Sequence, residues 1–230
     1  MGDRILANYQ RFAVYYAPAQ GSDLARAGAA WLGWDADEAQ PCAHPQLGID
    51  LALITQTPRK YGLHATLKPP MRLACAQATF FDAVETLAQG LAPVDMGRLC
   101  LRPLDGFLAI VPEAQPQALT DATAQIVASL DPFRAPLSEQ ELARRRAADL
   151  SPRQEELLQL WGYPYVMEEF RFHVTLTGRL APKVMIDVLR AAHAWFDPAL
   201  EARHRLDALC IFGEDEAGRF HLLRRVPLRG

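Results

Sequence analysis

The sequence LHATL at residues 63–67 recurs as FHVTL at residues 172–176 in a chain of 230 residues. In both copies an apolar residue, a histidine, a second apolar residue and a threonine precede a leucine. Because alternate residues of a β-strand point to the same side, each copy would present its histidine and threonine on one face. The apolar residues between them would face the interior. The repeat therefore predicts two similar strands that each carry an imidazole and a hydroxyl.

The segments around the two copies follow the same order. Runs of β-branched and aromatic residues predict strands, apolar residues at helical spacing predict helices, and turn residues between apolar runs predict hairpins. In the first half these signals predict a strand at 11–18, a helix at 22–34 and a short helical piece at 50–57. A strand at 61–68, ended by Pro69 and Pro70, follows. A helix at 80–91 and a hairpin at 96–112 that turns at Asp105–Gly106 complete this half. In the second half they predict a strand at 170–180, a helix at 183–196 opened by Pro182, and a hairpin at 206–228 that turns between residues 214 and 218. Three further helices are predicted between the halves, near 115–130, 138–147 and 152–161.

The distances within the two halves are nearly equal. His64 lies 41 residues before Asp105, and His173 lies 42 residues before Asp215. A strand, a helix and a hairpin at matched spacing indicate an internal duplication. We therefore predict an α+β fold, a single bilobal domain over residues 1–230, with two pseudo-symmetric antiparallel sheets, flanking helices and a central cleft. The expected division is a first lobe at 1–112, a helical connection at 113–169 and a second lobe at 170–230.

Two imidazoles and two hydroxyls suit displacement at phosphorus. An unperturbed histidine has a pKa of about 6.5, so one imidazole can accept a proton while the other donates one. Cleavage of a phosphodiester uses both, a base to activate the attacking oxygen and an acid to protonate the leaving oxygen. His64 and His173 are therefore the predicted catalytic residues, and the hydroxyls of Thr66 and Thr175 are predicted to bind the phosphate. This scheme requires no metal and no cofactor.

The composition is that of a globular protein without a strongly basic character. Hydrophobic residues make up 50% and charged residues 22% of the chain, and the formal net charge is −3. This balance makes RNA a possible partner but not the favoured one. No apolar run approaches the roughly 18 residues that cross a bilayer, and the first residues lack the layout of a signal peptide. A cytoplasmic protein with no membrane partner is expected.

Motifs of other chemistries are missing from the sequence. Cys42 and His44 form a C-x-H pair, but no second pair of ligands follows at zinc spacing. The sequence contains no glycine-rich phosphate loop, no HExxH and no G-x-S-x-G. We therefore expect neither a metal site nor a site for nucleoside triphosphates.

On the two motifs the chain resembles the two-histidine (2H) phosphoesterase superfamily, which includes RNA 2′,3′-cyclic phosphodiesterases. RFAVYYAPAQGS (11–22), YGLHATLKPP (61–70) and WGYPYVMEEFRFHVTLTGRL (161–180) resemble a branch that is often encoded among phosphonate-utilisation genes. The resemblance covers nearly the whole chain. It implies a bilobal fold with a central cleft, acid–base catalysis by the two histidines, and phosphate binding by the two threonines without a metal. The implied substrate is a small molecule, a cyclic or 2′-linked phosphodiester of a sugar or nucleotide.

Further side chains near the motifs are candidates for substrate binding. By strand alternation Lys68 falls on the face of His64, and Arg171 falls on the face of His173, so both could contact a phosphate. The alternative for these two cations is a solvated strand end. Aromatic candidates for stacking on a base or sugar, with core packing as the alternative, are Tyr15, Tyr61, Tyr163 and Tyr165.

The predicted connection contains a group of arginines, Arg144, Arg145, Arg146 and Arg153, interspersed with glutamates. Such a mixed run is typical of a solvated helix face. The functional alternative is a lid that closes basic groups over an anionic substrate.

Three functions are compatible with these residues. A metal-independent phosphodiesterase is favoured, because a protein that only binds phosphate has no need for both imidazoles. The alternatives are a non-catalytic phosphate-ligand or RNA-binding module on the same fold, and a 2′,5′ ligase, which would use the same groups.

Overall fold

Helices alternate with short antiparallel strands in the structure, a computed structural model that describes residues 9–230. The helices are α1 (Asp23–Leu32), α2 (Leu51–Ile54), α3 (Gln77–Gln89), α4 (Gln117–Leu130), α5 (Glu139–Arg146), α6 (Pro152–Trp161) and α7 (Pro182–Leu200). The strands are β1 (Arg11–Tyr16), β2 (Trp34–Asp35), β3 (Gln40–Pro41), β4 (Ala65–Met71), β5 (Val94–Gly97), β6 (Leu99–Leu104), β7 (Phe107–Pro112), β8 (Val174–Thr175), β9 (His204–Leu206), β10 (Ala208–Glu214) and β11 (Phe220–Pro227). Residues 1–8 of the predicted first lobe lie outside the described residues.

The predicted α+β class is confirmed. One sheet has the strand order β11-β10-β1-β4, a second has the order β6-β7-β8, and β5–β9 and β2–β3 form short pairs. The strand pairs in these sheets are antiparallel. The first motif opens β4 and the second opens β8, and each of these strands lies at the edge of its own sheet. The two motif strands also approach one another directly.

The two halves exchange their hairpins, which the sequence did not predict. β1 and β4 from the first half pair with the hairpin β10–β11 from the second half. The hairpin β6–β7 from the first half pairs with β8 of the second half. The expectation that residues 1–112 and 170–230 form separate sheets is therefore wrong, since each motif strand shares its sheet with a hairpin from the other half.

The pair β5–β9 accounts for this exchange. β5 precedes the first hairpin and β9 precedes the second, so the two strands occupy equivalent places in the repeat. They pair with each other, with Val94 opposite Leu206 and Asp95 opposite Arg205. An antiparallel pair of equivalent strands is the arrangement that two-fold symmetry requires. Because the paired strands run in opposite directions, each hairpin continues toward the sheet of the opposite half.

The predicted turn at Asp105–Gly106 is confirmed. Asp105 has a φ of 44° and Gly106 a φ of 89°, and Leu104 pairs directly with Phe107. Positive φ at both central residues is the signature of the type I′ turn, whose twist matches that of a two-residue hairpin. This tight turn sets the register of β6 and β7.

The helix positions are confirmed to within four residues at every end. Ser22 caps α1 by accepting a hydrogen bond from the N–H of Ala25 at 3.2 Å, and α1 ends at Gly33, which has a φ of 73°. The buried Trp31 of α1 donates from Nε1 to the carbonyl of Leu176 at 3.0 Å. This bond fixes α1 beside the second motif.

The second motif strand is shorter than predicted. Only β8 is paired as a strand within the segment 170–180. The N–H of Phe172 instead binds Gln115 Oε1 at 2.7 Å, and the N–H of Gly178 binds the carbonyl of Ile54 at 2.7 Å. The apolar alternation that predicts a strand is present, but these two backbone N–H groups bind a side chain and the last residue of α2.

The first motif strand is longer than predicted, because β4 continues through Pro69 and Pro70. Edge strands tolerate proline, since one of their sides needs no backbone donor. The pairing of β4 with β1 shifts register between Thr66 and Lys68. Such a bulge interrupts the alternation of side chains, so Lys68 does not share the face of Thr66.

Lys68 is fully buried and joins β4 to α4. Its Nζ donates to the carbonyl of Val127 at 3.0 Å and to Asp131 Oδ1 at 2.8 Å. Arg134 binds the same carboxylate, also at 2.8 Å. The prediction that Lys68 contacts substrate is therefore wrong, and the physical reason is the bulge in β4.

Replacing Lys68 with methionine should destabilise the fold. The carbonyl of Val127 and the carboxylate of Asp131 would both lose a buried donor, which should lower the free energy of unfolding by about 1–3 kcal/mol. Urea unfolding measures this change, with the exposed Lys183→Met as the matched control. Unchanged stability in Lys68→Met would contradict a structural role.

Candidate active site

A cleft of about 420 Å³ lies between the two motifs. Thr66 of the first motif and His173 of the second both line it. The polar part of its remaining wall includes Gln154, Tyr163, Tyr165, Glu169, Arg171 and Arg179. This volume falls in the range of pockets that bind small molecules. Of the four predicted catalytic and phosphate-binding residues, Thr66 and His173 line this cleft, whereas His64 and Thr175 are not among its lining residues.

The two histidines are held in the same way. Each lies directly before its motif strand and uses Nδ1 to bind the carbonyl two residues earlier. The distance is 3.0 Å from His64 to Gly62 and 2.7 Å from His173 to Arg171. A carbonyl oxygen can only accept, so Nδ1 carries the proton in both rings. The lone pair of each neutral imidazole is therefore on Nε2.

Neither Nε2 atom forms a hydrogen bond to any residue within 9–230. His173 lines the cleft, and the ring of His64 is partly exposed. A nitrogen that is fixed in tautomer and has no protein partner can accept a proton, and once protonated it can donate one. The local geometry is thus equivalent in the two half-sites.

Gly62 makes the first of these bonds possible. Its φ of 72° lies in the left-handed region that glycine adopts readily. A Cβ at this position would come within 2.6 Å of the Cβ of Ala36. The carbonyl that holds His64 therefore depends on a glycine immediately upstream of the motif.

His64 lies against two tyrosine rings. Its ring centroid is 4.2 Å from that of Tyr15 and 5.3 Å from that of Tyr61. Burial lowers the pKa of His64 to about 4, and the charge of His173 acts in the same direction, while the carbonyl of Gly62 opposes both. The His64 imidazole is therefore neutral at pH 7. The influence of His173 also shows that the two imidazoles are electrostatically coupled.

The predicted tyrosines have different positions. Tyr15 is completely buried beneath His64, so the prediction that it stacks on substrate is wrong. Tyr61 is partly buried between His64 and Phe220, whose ring it stacks on at 4.9 Å. Tyr163 lines the cleft. The sequence does not distinguish a buried tyrosine from one that lines the cleft, because aromatic residues occur on both faces of a strand.

The two motif threonines retain free hydroxyls. Thr66 and Thr175 are partly exposed, and their hydroxyls form no hydrogen bond to another residue in the described part of the chain. Thr177, two residues after the second motif threonine, differs from both. It is buried, and its hydroxyl accepts a hydrogen bond from the N–H of Leu108 at 3.0 Å. The free hydroxyls are those of the motif itself.

Two arginines line the cleft on the side of the second motif. Arg171 is exposed there, as predicted from strand alternation, and its carbonyl also holds His173. Arg179 is exposed at the same cleft, and sequence reasoning missed it. Strand alternation does not identify it, because β8 ends at Thr175 and Thr177 is buried.

Residues 9–230 contain neither a cluster of metal ligands nor a helix that could span a membrane. No three side chains of histidine, cysteine, aspartate or glutamate come together as a metal site would need. No helix in this range combines the length and apolar character that crossing a membrane requires.

Residues 66–221 match the family described as "Protein of unknown function (DUF1045)". The chain belongs to this family.

Two curated relatives bear the name "Ribose 1,5-bisphosphate phosphokinase PhnN". The relative from Janthinobacterium sp. (strain Marseille) is 35% identical over 231 residues, which cover 96% of this chain and 51% of the relative. The relative from Laribacter hongkongensis (strain HLHK9) is 39% identical over 224 residues, which cover 95% of this chain and 52% of the relative.

The chain thus spans about half the length of the curated relatives it matches. Among solved structures, the chain is similar to E. coli LigT complexed with 3′-AMP, with 11% identity, a TM-score of 0.47, and coverage of 97% of this chain and 100% of LigT. A structure described as a phosphoesterase is 10% identical, with a TM-score of 0.43 and coverage of 96% and 99%. The resemblance to two-histidine phosphoesterases rests on the repeated motif and stays a prediction.

We expect the His64 imidazole to titrate with a midpoint of about 4 in an NMR titration of the histidine ring protons. His64→Gln assigns the resonance. Because the unfolded chain protonates this ring at about 6.5, the neutral folded ring stabilises the protein fully above that pH. This contribution is lost as the pH falls from about 6.5 through about 4. A midpoint of about 6.5 would show that the ring is solvated.

Proposed function

We propose that the chain is a metal-independent phosphodiesterase that hydrolyses a cyclic or 2′-linked phosphodiester of a sugar or nucleotide. The observation that carries the proposal is the pair of imidazoles, each bound at Nδ1 by a backbone carbonyl and open at Nε2. One cleft joins the two motifs to which they belong. A base and an acid held in equivalent settings are what displacement at phosphorus needs.

His64 acts as the base in this proposal, because burial keeps it neutral. Its Nε2 takes a proton from the attacking water as the water oxygen bonds to phosphorus. The bond from phosphorus to the leaving oxygen breaks, and His173 donates a proton from Nε2 to that oxygen. Exchange with solvent then returns both imidazoles to their starting states. The same groups run in reverse would form the bond, which is the ligase direction.

The threonine hydroxyls stabilise the phosphate in this scheme. Thr66 and Thr175 each have an O–H that no other residue within 9–230 binds, and each can donate to a non-bridging oxygen. Donors that are already in place cost no reorganisation when negative charge builds up on those oxygens. Arg171 and Arg179 add positive charge at the same cleft.

Sugar phosphates are the substrate class that we favour. The curated relatives are named for a kinase that acts on ribose 1,5-bisphosphate, and this chain matches about half of their length. The sequence has no glycine-rich loop for a nucleoside triphosphate. We therefore assign the kinase reaction to the other half of those relatives. This chain would act on a phosphodiester of the same sugar class, in phosphonate metabolism as the family resemblance implies.

His64→Ala and His173→Ala should each lower turnover by about two to four powers of ten, because each removes one acid–base group. The assay uses EDTA and a panel of nucleoside 2′,3′-cyclic phosphates and ribose cyclic phosphates. His193→Ala, on the exposed face of α7, is the matched control. Full activity in either catalytic variant would exclude the paired mechanism. Binding of cyclic phosphates without turnover in the wild type would favour a phosphate-binding module.

Thr175→Val and Thr177→Val should affect different properties, although the two residues lie close together in the sequence. The first should lower activity and the second should lower stability. Loss of the Thr175 hydroxyl removes a donor to a charged oxygen, so kcat/KM should fall about tenfold to a hundredfold. Loss of the Thr177 hydroxyl leaves the N–H of Leu108 unsatisfied and should lower the free energy of unfolding by about 1–3 kcal/mol. Steady-state kinetics and urea unfolding of both variants test the assignment. Equal kinetic losses in the two would contradict it.

A further inference from the structure

Arg145 differs from its charged neighbours in the helical connection. Arg146 binds Glu155 at 2.5 Å, and Arg153 binds Glu156 at 2.8 Å, so both behave as the solvated ion pairs that the mixed run predicts. Arg145 lies one position before Arg146 on α5 but forms no salt bridge with a residue in 9–230. The interpretation of this run as a solvated face therefore fails at one residue.

The guanidinium of Arg145 is partly buried and has no anionic partner among residues 9–230. Its Nε is buried and has no hydrogen-bond acceptor in the same part of the chain. Glu141, one turn earlier on α5, already binds Arg72 at 3.2 Å and the N–H of Ser138 at 2.9 Å. Burial lowers the pKa of Arg145, which shows that its surroundings disfavour the charge. A partly buried cation of this kind is costly until an anion accepts from its donors.

The setting of Arg145 links it to the cleft. Its Cζ lies 4.9 Å from the ring centroid of Tyr163, a cleft-lining residue. Arg145 is not itself among the residues that line the cleft and contacts its wall through Tyr163. Arg11, by contrast, is neutralised by Glu214.

We propose that Arg145 binds a second anionic group of the substrate, a phosphomonoester separate from the scissile phosphodiester, and thereby makes the site specific for phosphorylated sugars. The inference rests on the proposed function and names its substrate more closely. The scissile phosphate has its own partners in the two motifs. Arg145 lies outside that set, so an anion bound there belongs to a different part of the substrate.

The chemistry of the guanidinium suits this role. Its donors form a planar fork that matches a phosphate through two parallel hydrogen bonds. The Tyr163 ring packs against the guanidinium and orients it through a cation–π contact. The unpartnered Nε is one of the donors that such a phosphate would use. A phosphomonoester carries more negative charge than a diester and gains more from an unneutralised cation.

The first experiment compares adenosine 2′,3′-cyclic phosphate with its 5′-phosphorylated form as substrates. In the wild type the 5′-phosphate should raise kcat/KM by about tenfold to a hundredfold, chiefly through KM. Arg145→Gln should abolish this preference, Arg145→Lys should keep part of it, and the exposed Arg144→Gln should keep it in full. A preference that is absent from the wild type, or unchanged in Arg145→Gln, would overturn the inference.

The second experiment does not depend on turnover. Ribose 5-phosphate is titrated into the protein while the arginine Nε–H resonances are followed by NMR, with Arg145→Gln providing the assignment. The Arg145 resonance should shift, and it should shift less with ribose alone. If the Arg145 resonance does not shift on addition of ribose 5-phosphate, the inference is overturned, even when the enzyme is active. A resonance that responds in a protein that cleaves neither substrate would overturn the proposed hydrolysis and support the anion site.

Discussion

Each imidazole of the site depends on one hydrogen bond, from its Nδ1 to the carbonyl two residues earlier in the chain. This bond selects the tautomer, fixes the ring plane and directs Nε2 away from the backbone. It needs a local turn before each motif strand, which Gly62 supplies in the first copy through a positive φ. β4 and β8, which follow the two histidines, both lie at the edges of their sheets.

The two half-sites are alike in backbone but differ in surroundings. His64 packs on Tyr15, which is buried, whereas the ring nearest to His173 is Phe107, at 6.0 Å between centroids. Burial against tyrosine rings accounts for the neutral state of His64. The proposed division into a base and an acid rests on this difference in the residues packed behind the two rings. Acid–base catalysis requires this asymmetry, because two identical imidazoles would compete for the same proton.

The sequence predicts the local features well and the long-range ones poorly. The Asp105–Gly106 turn and the His-x-Thr faces follow from backbone rules that act over a few residues. The position of Lys68 does not, because a bulge in β4 depends on its pairing with β1. The exchange of hairpins depends on contacts between distant segments. Arg145 was missed for a related reason: composition treats neighbouring arginines alike, and only packing shows which one is partly buried with a donor that has no acceptor among residues 9–230.

The exchange of hairpins has a consequence for the synthesis of the chain. Arg11 of β1 pairs with Glu214 of β10, which emerges from the ribosome 203 residues later. Until then β1 and β4 lack the neighbour that completes their sheet, and the exposed strand edge can pair with other chains. Contacts of such sequence separation also slow folding, because loop closure precedes any gain from packing. A product terminated after the first motif therefore lacks β10, one of the two strands that pair with β1, and the sheet that carries the first motif is completed only once β10 and β11 have been translated.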